Sequence, residues 1–345
     1  MAHAYKIRDI ALQAGLSEAT VDRVINDRPG VRASTARQVR QAIRDLERQD
    51  SQLRIGGRTF MLDVVVQAPG RFSSQVRSAL EAVLPTFRPA VLRSRFHFRE
   101  TWPVEELVAC LEGIAARGSQ GVLLKAPDLP EVQAATRQLG AAGVPVLTLV
   151  TDLPSSGRLA YVGMDDRAAG ATAAYLVGQS LTGQPGSVLV VLSSGSFRGE
   201  EEREMGFRSV MRSRYPDRAL VEVDDSFGLN AQVHTRVLAA LNEHADIRAV
   251  YSIGGGNRAA VDAFDEADRP CAVFVAHDLD EDNLALLRQG RLSFVLHHDL
   301  QADMRRACHL VLQAHRAVPG RVRSWPSQIQ VVTPFNVPVL FGRDS

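Results

Sequence analysis

Apolar and polar positions change rhythm along the chain. In the first fifty residues they repeat at helical spacing. Ile7, Ile10, Ala11 and Ala14 make one short stripe over Lys6–Ala14, and Val21, Val24 and Ile25 make a second at i, i+3, i+4. Gly15-Leu16-Ser17 is long enough for a tight turn between them, and Ser17 is placed to cap the second helix by accepting a backbone N–H. A third helix is expected from Ser34 to about Glu47. Val39, Ile43 and Leu46 close its core side, and Arg37, Arg40, Arg44 and Arg48 lie on the other face. Gln49 to Thr59 is polar and contains Gly56 and Gly57, which reads as a linker.

From Met61 the pattern becomes short apolar runs alternating with helical stretches, the mark of βαβ units and parallel sheets covered on both faces. Strands are expected at Leu62–Val66, Val91–Phe96, Gly121–Lys125, Pro145–Val150, Ser187–Leu192, Leu220–Val223, Ala249–Ile253, Ala272–Ala276, Ser293–Leu296 and Ile329–Val332. Helices are expected between them at Ser73–Leu84, Val104–Arg117, Pro130–Ala142, Arg167–Leu181, Glu200–Arg214, Asn230–Glu243, Arg258–Ala267, Asp280–Gln289 and Leu300–Ala317. So many strands make an unusually wide single sheet, so two lobes are the expected arrangement.

Two short helices joined by a turn containing Gly form a helix-turn-helix pattern, in which the second helix meets DNA. That helix leaves Glu18, Ala19, Asp22, Arg23 and Asn26 facing outward. By periodicity alone a small packing module fits equally well. The wording of the run says more: Lys6-Ile7-Arg8-Asp9-Ile10-Ala11, Ala14-Gly15-Leu16-Ser17, Thr20-Val21, Arg23-Val24-Ile25-Asn26, then Val31 and Thr35-Ala36. This run closely resembles the headpiece of the lac-repressor (LacI) family of regulators. The resemblance implies that Glu18, Ala19 and Arg23 face base edges while Ser17, Thr20 and Asn26 face phosphates. A Ser is common where Asp22 stands. It also implies a hinge helix with a Pro-Asn start and an Ala-Arg-x-Leu end, whose Leu wedges into the minor groove. This chain lacks both, which leaves Leu53 and Arg54 as the expected reduced wedge.

The later order of elements resembles the periplasmic-binding-protein-like core of the same family. Gly143 to Leu149, followed by Tyr161-Val162-Gly163-Met164-Asp165-Asp166 and Gly170, looks like its crossover from the first lobe to the second. Leu292–His298 and the stretch around Ser324–Gln328 would be the second and third crossings. The expected division is therefore a headpiece over residues 1–48, a linker over 49–59 and a two-lobed core over 60–345. Lobe 1 would take about 60–162 and 293–323, and lobe 2 about 163–292 and 324–345.

Charge agrees with this division. The whole chain carries a formal +1, but residues 1–58 hold 11 Lys and Arg against 7 Asp and Glu, and the remainder holds 29 against 32. A positive head on a slightly negative body suits phosphate attraction at one end. Cys110, Cys271 and Cys308 are odd in number and widely spaced, which argues for reduced thiols rather than a disulfide framework or a zinc ribbon. Met1–Lys6 has no apolar signal core, and no run approaches the roughly 20 apolar residues of a spanning helix, so a cytoplasmic protein is expected.

In open α/β sheets a ligand sits beyond the carboxyl ends of the strands. The loops there hold Phe72, Asp128, Asp152, Asp166, Arg198, Glu201, Phe227, Asn257, Asp278 and His298, with Thr151 and Glu200 beside them. Carboxylates and amides for hydroxyls, with aromatic faces for a ring, are what a sugar or polyol site needs. Taken singly, each such loop residue is more often solvated than liganding. The resemblance adds weight to two: Asp278 falls where sugar-binding relatives place a carboxylate, and His298 where they place a Gln or Asp. Relatives also place an Arg five residues before a Gly-aromatic pair. Counted from Gly206-Phe207, that position is Glu201, with Arg203 nearby, which implies an effector lacking the acidic or hydroxyl group such an Arg binds.

Other motifs are weaker. Gly254-Gly255-Gly256-Asn257 is neither G-x-G-x-x-G nor a P-loop. His277, His297, His298 and Asp299 lack metal-ligand spacing. Ser193-Ser194-Gly195-Ser196 is not a nucleophile elbow. The reading is a ligand-responsive repressor without a cofactor, binding a double-stranded operator as a homodimer or dimer of dimers. Dimerisation is expected through the core, with Val76, Leu80, Val83 and Leu84 as one candidate face. The alternatives are a solute-binding protein or a sugar-modifying enzyme on the same core.

Overall fold

The computed structural model describes residues 5–55, 57–324 and 326–338, with side chains beyond Glu47 in the first segment left aside. Three helices come first. α1 (Ile7–Ala14) buries Ile10, Ala11 and Ala14, and it ends at Gly15, whose φ of 63° opens the turn. α2 (Glu18–Ile25) buries Val21, while Val24 and Ile25 pack beside it. α3 (Ala33–Ile55) presents Val39 and Ala42 to the same small core.

The expected linker is shorter than its polarity implied, because α3 continues through Gln49 to Ile55. Gln, Leu and Arg are good helix formers, and no Gly or Pro interrupts the chain until Gly56. Polarity without a breaker does not end a helix. The side chains of Leu53 and Arg54, the expected wedge, lie outside the described residues.

Two sheets follow. The first has the order β2-β1-β3-β4-β5 and is wholly parallel: β1 (Thr59–Gln67), β2 (Val91–Arg99), β3 (Gly121–Lys125), β4 (Val146–Leu149) and β5 (Ala160–Val162). Helices α4 (Gly70–Val83), α5 (Val104–Arg117) and α6 (Pro130–Ala141) cover it. The second has the order β11-β10-β9-β8-β6-β7, with β6 (Ser187–Val191), β7 (Leu220–Val223), β8 (Ile247–Ser252), β9 (Val273–His277), β10 (Phe294–His297) and an antiparallel edge strand β11 (Gln330–Val332). Around it lie α7 (Asp166–Ser180), α8 (Arg198–Arg214), α9 (Asn230–Glu243), α10 (Asn257–Glu266) and α11 (Glu281–Arg288). The last helix, α12 (Leu300–Ala314), returns to the first lobe, where Met304, Ala307, Cys308 and Val311 join Leu62, Val64 and Leu80 in one core.

The chain thus crosses between lobes three times: after β5, after β10 and before β11. The second crossing comes at His298, the end of the expected stretch Leu292–His298. Residues 293–297 belong to lobe 2 rather than lobe 1, because β10 pairs parallel with β9 there. An apolar strand looks alike in either lobe, so composition could not assign it. The first and third crossings run side by side: Ser327 N donates to Gly163 O at 2.7 Å, and Tyr161 N donates to Ser324 Oγ at 2.8 Å. On α4 the stripe considered for dimerisation, Val76, Leu80 and Val83, is buried against the first sheet, with Leu84 packed beside it. Among the described residues no helix is long and apolar enough to cross a membrane.

Candidate functional site

Two surfaces carry the chemistry. On α2, Ser17 caps the helix by accepting from Thr20 N at 3.3 Å and shares a hydrogen bond with Thr20 Oγ1 at 2.8 Å. Ser17, Glu18, Ala19, Arg23 and Asn26 are exposed, and Thr20 and Asp22 partly so, which leaves one continuous polar face. Asp22 is not a bare anion on that face. Its carboxylate meets Arg28 Nη1 at 3.0 Å and accepts from Asn26 Nδ2 at 2.8 Å. Arg28, just past the helix, is its neutralising partner.

The second surface is a cavity between the lobes. Its walls come from strand ends and helix starts: Gln67 ends β1, Lys125 ends β3 and His277 ends β9, while Arg71 and Phe72 open α4, and Gly199, Glu200 and Arg203 open α8. Val150, Phe227 and Asp278 also line it. All three hold left-handed backbone, with φ of 63°, 51° and 61°. Such conformations cost about 1–3 kcal/mol each for non-glycine residues and concentrate at functional sites. The cavity leaves 80 Å³ for the centre of a water-sized sphere, roughly the room of half a dozen waters, so it suits a single small ring.

The lobes already touch across it. Arg71 Nη2 donates to Gly228 O at 2.9 Å, Gln75 Nε2 to Leu279 O at 3.0 Å, Gly199 N to Thr151 Oγ1 at 2.9 Å, and Asp128 N to Ser196 O at 2.8 Å.

Of the ten residues singled out by sequence, Phe72, Phe227 and Asp278 line the cavity, and seven do not. Asp152 is held by Thr148 Oγ1, Leu153 N and Arg158. Asp128 accepts from Gln133, and Arg198 donates to Glu202 along α8. Glu201 lies on the same helix outside the lining. Asn257 donates to Asn283 Oδ1 at 2.8 Å and so steadies a lining residue from behind. Asp166 sits behind Arg203, accepting from its Nε at 2.7 Å and from Tyr161 Oη at 3.1 Å. His298 is behind Asp278, with Nδ1 on Asp303 and Nε2 3.7 Å from Asp278 Oδ1. In each hydrogen-bonded case a nearer protein partner already occupies the polar atoms that were expected to face a ligand.

Two residues beyond Glu201, an Arg does line the cavity. Arg203 lies on the buried face of α8 with Gly199, Gly206 and Phe207. A Cβ at Gly206 would stand 2.1 Å from Arg167 O, and one at Gly170 would stand 1.8 Å from Arg203 O. These two glycines let α7 and α8 meet backbone to backbone, which brings Arg203 onto Asp166. Burial works to lower the Arg203 pKa, but Asp166 and Asp278 outweigh it and hold the guanidinium charged.

Lys125 was also missed, although a Lys closing an otherwise apolar strand at its carboxyl end is a visible signal. Its ammonium lies 4.3 Å from the Phe197 ring centroid and donates to Gln67 O at 3.2 Å, and burial pushes its pKa down to about 8. Burial raises the Glu200 pKa against its bonds from Ser193 N and Oγ. His277 Nε2 and Tyr251 Oη share a hydrogen bond of 2.8 Å, and burial holds the imidazole neutral. No group of three or more His, Cys, Asp or Glu side chains able to hold a metal occurs among the described residues.

Comparison with known proteins bears on both surfaces. Residues 6–47 match the profile of bacterial regulatory proteins of the lacI family, and residues 64–316 match that of a periplasmic binding protein domain. A search of curated proteins gives no significant match. Among solved structures, a glucose-galactose binding protein from Geobacillus stearothermophilus superposes with a TM-score of 0.72 at 17% identity, over 81% of this chain and 99% of that one. A solute-binding protein from Burkholderia graminis in complex with D-arabinose gives 0.72 at 21%, over 82% and 97%. A chain assigned to the LacI transcriptional regulators, from Bacteroides fragilis, gives 0.72 at 16%, over 81% and 97%. At these identities the likeness is one of fold. With its helix-turn-helix headpiece joined to a ligand-binding core, the chain belongs to the LacI family of bacterial regulatory proteins and is a ligand-responsive DNA-binding regulator of transcription.

Proposed function

We propose that this regulator is a repressor that binds a roughly palindromic operator as a homodimer and senses a small sugar or polyol between its lobes, without turning it over. The observation that carries the reading is the cavity itself, walled by both lobes and bridged by direct hydrogen bonds from α4 to lobe 2. An effector held by both walls favours the closed arrangement over the open one, and that difference in affinity is what an allosteric switch requires. Twofold symmetry is expected because one recognition helix meets too few base pairs for specificity. Work on DNA fits a cytoplasmic protein. The fold likeness to proteins described as binding glucose, galactose and D-arabinose supports a polyhydroxylated effector.

The test begins by selecting DNA sites with the purified protein from a random pool. Mobility shifts on a selected site are then measured with and without pentoses, hexoses and inositols. Release of the site by one of these, with the compound recovered unaltered, is the expected result. A protein that selects no site, or a compound consumed in the assay, would overturn the proposal.

A further inference from the structure

The cavity offers a bound molecule more donors than acceptors. Lys125 spends one of its three N–H groups on Gln67 O, and among the described residues it has no carboxylate within ion-pair distance. Arg203 spends Nε on Asp166, while its four terminal N–H groups meet no acceptor among the described residues. These two cations come from opposite lobes, at the end of β3 and the start of α8. A third polar atom lies at the cavity wall. Tyr251 Oη is fully buried and bonded to His277 Nε2, and in the tautomer where the phenol donates, the imidazole proton sits on Nδ1, which is buried and has no partner among the described residues.

The acceptors are fewer. Glu200 is occupied by Ser193, Asp280 by Arg71 and Asn283 N, and Glu100 accepts from Gly70 N at the rim. Among the described residues, the acceptors left inside are Asp278, whose nearest partner is His298 Nε2 at 3.7 Å, and the orphaned Gln67 Oε1, with the second Glu100 oxygen at the rim. A neutral sugar brings a proton with every hydroxyl, and each proton needs an acceptor. A carboxylate brings acceptors only.

We infer that the effector is a polyhydroxy carboxylate, an aldonate or uronate, whose acid group lies between Lys125 and Arg203 and whose hydroxyls meet Asp278, Gln67 and His277. This rests on the sugar or polyol reading above and narrows it. Arg203, held charged and aimed by Asp166, and Lys125, backed by Phe197, form a pair of donors that is completed only when the lobes are closed.

Calorimetry at pH 7 would compare D-gluconate, D-galactonate, D-glucuronate and D-galacturonate with D-glucose, D-galactose and myo-inositol, and with D-glucose 6-phosphate. An acid should bind about tenfold or more tighter than the aldose of matching configuration, the scale of one charge-assisted hydrogen bond. Lys125→Met and Lys125→Gln should each erase most of that preference. The preference is a ratio within one preparation, so a partly unfolded sample does not change it. An aldose or inositol binding as tightly as any acid, a phosphate binding tightest, or a preference that survives both substitutions would overturn the carboxylate while leaving the sugar reading in place. Binding of none of these compounds would overturn both.

Discussion

On α2 the outward-facing side chains stand in water: Glu18, Arg23 and Asn26 are exposed, and the Asp22–Arg28 pair is open to solvent. In the cavity the charged groups are withdrawn from it, with Arg203 and Asp166 almost wholly buried and Lys125 enclosed by Phe72 and Phe197. Charge in the headpiece costs little to keep, is screened by salt, and acts only when a phosphate or base edge replaces water. Charge in the cavity has lost its hydration and is bound into the fold, so each group is both recognition element and structural strut. The two regions should therefore answer mutation differently.

The sharpest contrast lies between the two arginines. Arg203→Met strands Asp166 beside Tyr161 in a buried setting and should lower stability by about 3–5 kcal/mol, measured as the free energy of urea unfolding. Arg23→Ala should leave that free energy within about 0.5 kcal/mol. It should instead remove roughly 1–3 kcal/mol of discrimination among base changes in the selected site. Equal stability losses in the two variants would erase the distinction.

Asp278 tests the cavity with a smaller stability penalty, since its nearest ion-pair partner, His298 Nε2, is 3.7 Å away rather than in hydrogen-bond contact. Asp278→Ala should weaken the effector about tenfold, on the scale of one lost hydrogen-bond partner. Affinity for the operator in the absence of effector should hold. If operator binding fails as well, the residue is structural.

A smaller effect concerns a third charged cluster, in lobe 1, where Asp63 is fully buried and receives Arg95, His97 and Arg117 at 2.8, 2.8 and 3.0 Å. Burial acts to raise the Asp63 pKa, but these donors prevail and hold it below the usual carboxylate range. The bond to Asp63 lifts His97 to about 9. A His raised in the folded state stabilises fully below its unfolded pKa, near 6.5, and loses that contribution as pH climbs through about 9. Lys125, lowered by burial, acts in the opposite direction over part of the range, so the comparison must be with His97→Gln. The gap in urea midpoint between wild type and variant should shrink from pH 6 to pH 9.5. A constant gap would remove His97 from the account.

The same contrast governs what could be seen in advance. The headpiece is local: its core comes from stripes within fifty residues, and its outward face is what remains once Ile10, Val21 and Val39 turn inward. The cavity is not local. Lys125 and Arg203 are 78 positions apart, and Gln67 and His277 are 210 apart. Strand ends located the loops correctly, which is why Phe72, Phe227 and Asp278 were found. Position in a loop does not tell whether a carboxylate faces the cavity or an internal partner. Asp152, whose Arg158 lies six residues on, and Asp166, whose Arg203 lies on the next helix but one strand away, show both forms of that ambiguity. β5 was missed as a strand because three residues at a sheet edge carry too little pattern.

Because α3 runs unbroken to Ile55 and β1 begins at Thr59, only residues 56–58 separate the headpiece helix from the first strand of the core. Fully stretched, the path from Ile55 to Thr59 spans no more than about 14 Å. Such a tether works as a short coupling rod. In the homodimer proposed above, two headpieces so tethered could not wander to distant half-sites, so the distance between recognition helices would be set by the cores, and a small lobe rotation would reach the DNA with little slack. Lengthening residues 56–58 by a few glycines would let the same protein tolerate operators of several spacings, at the expense of the effector's grip on any of them.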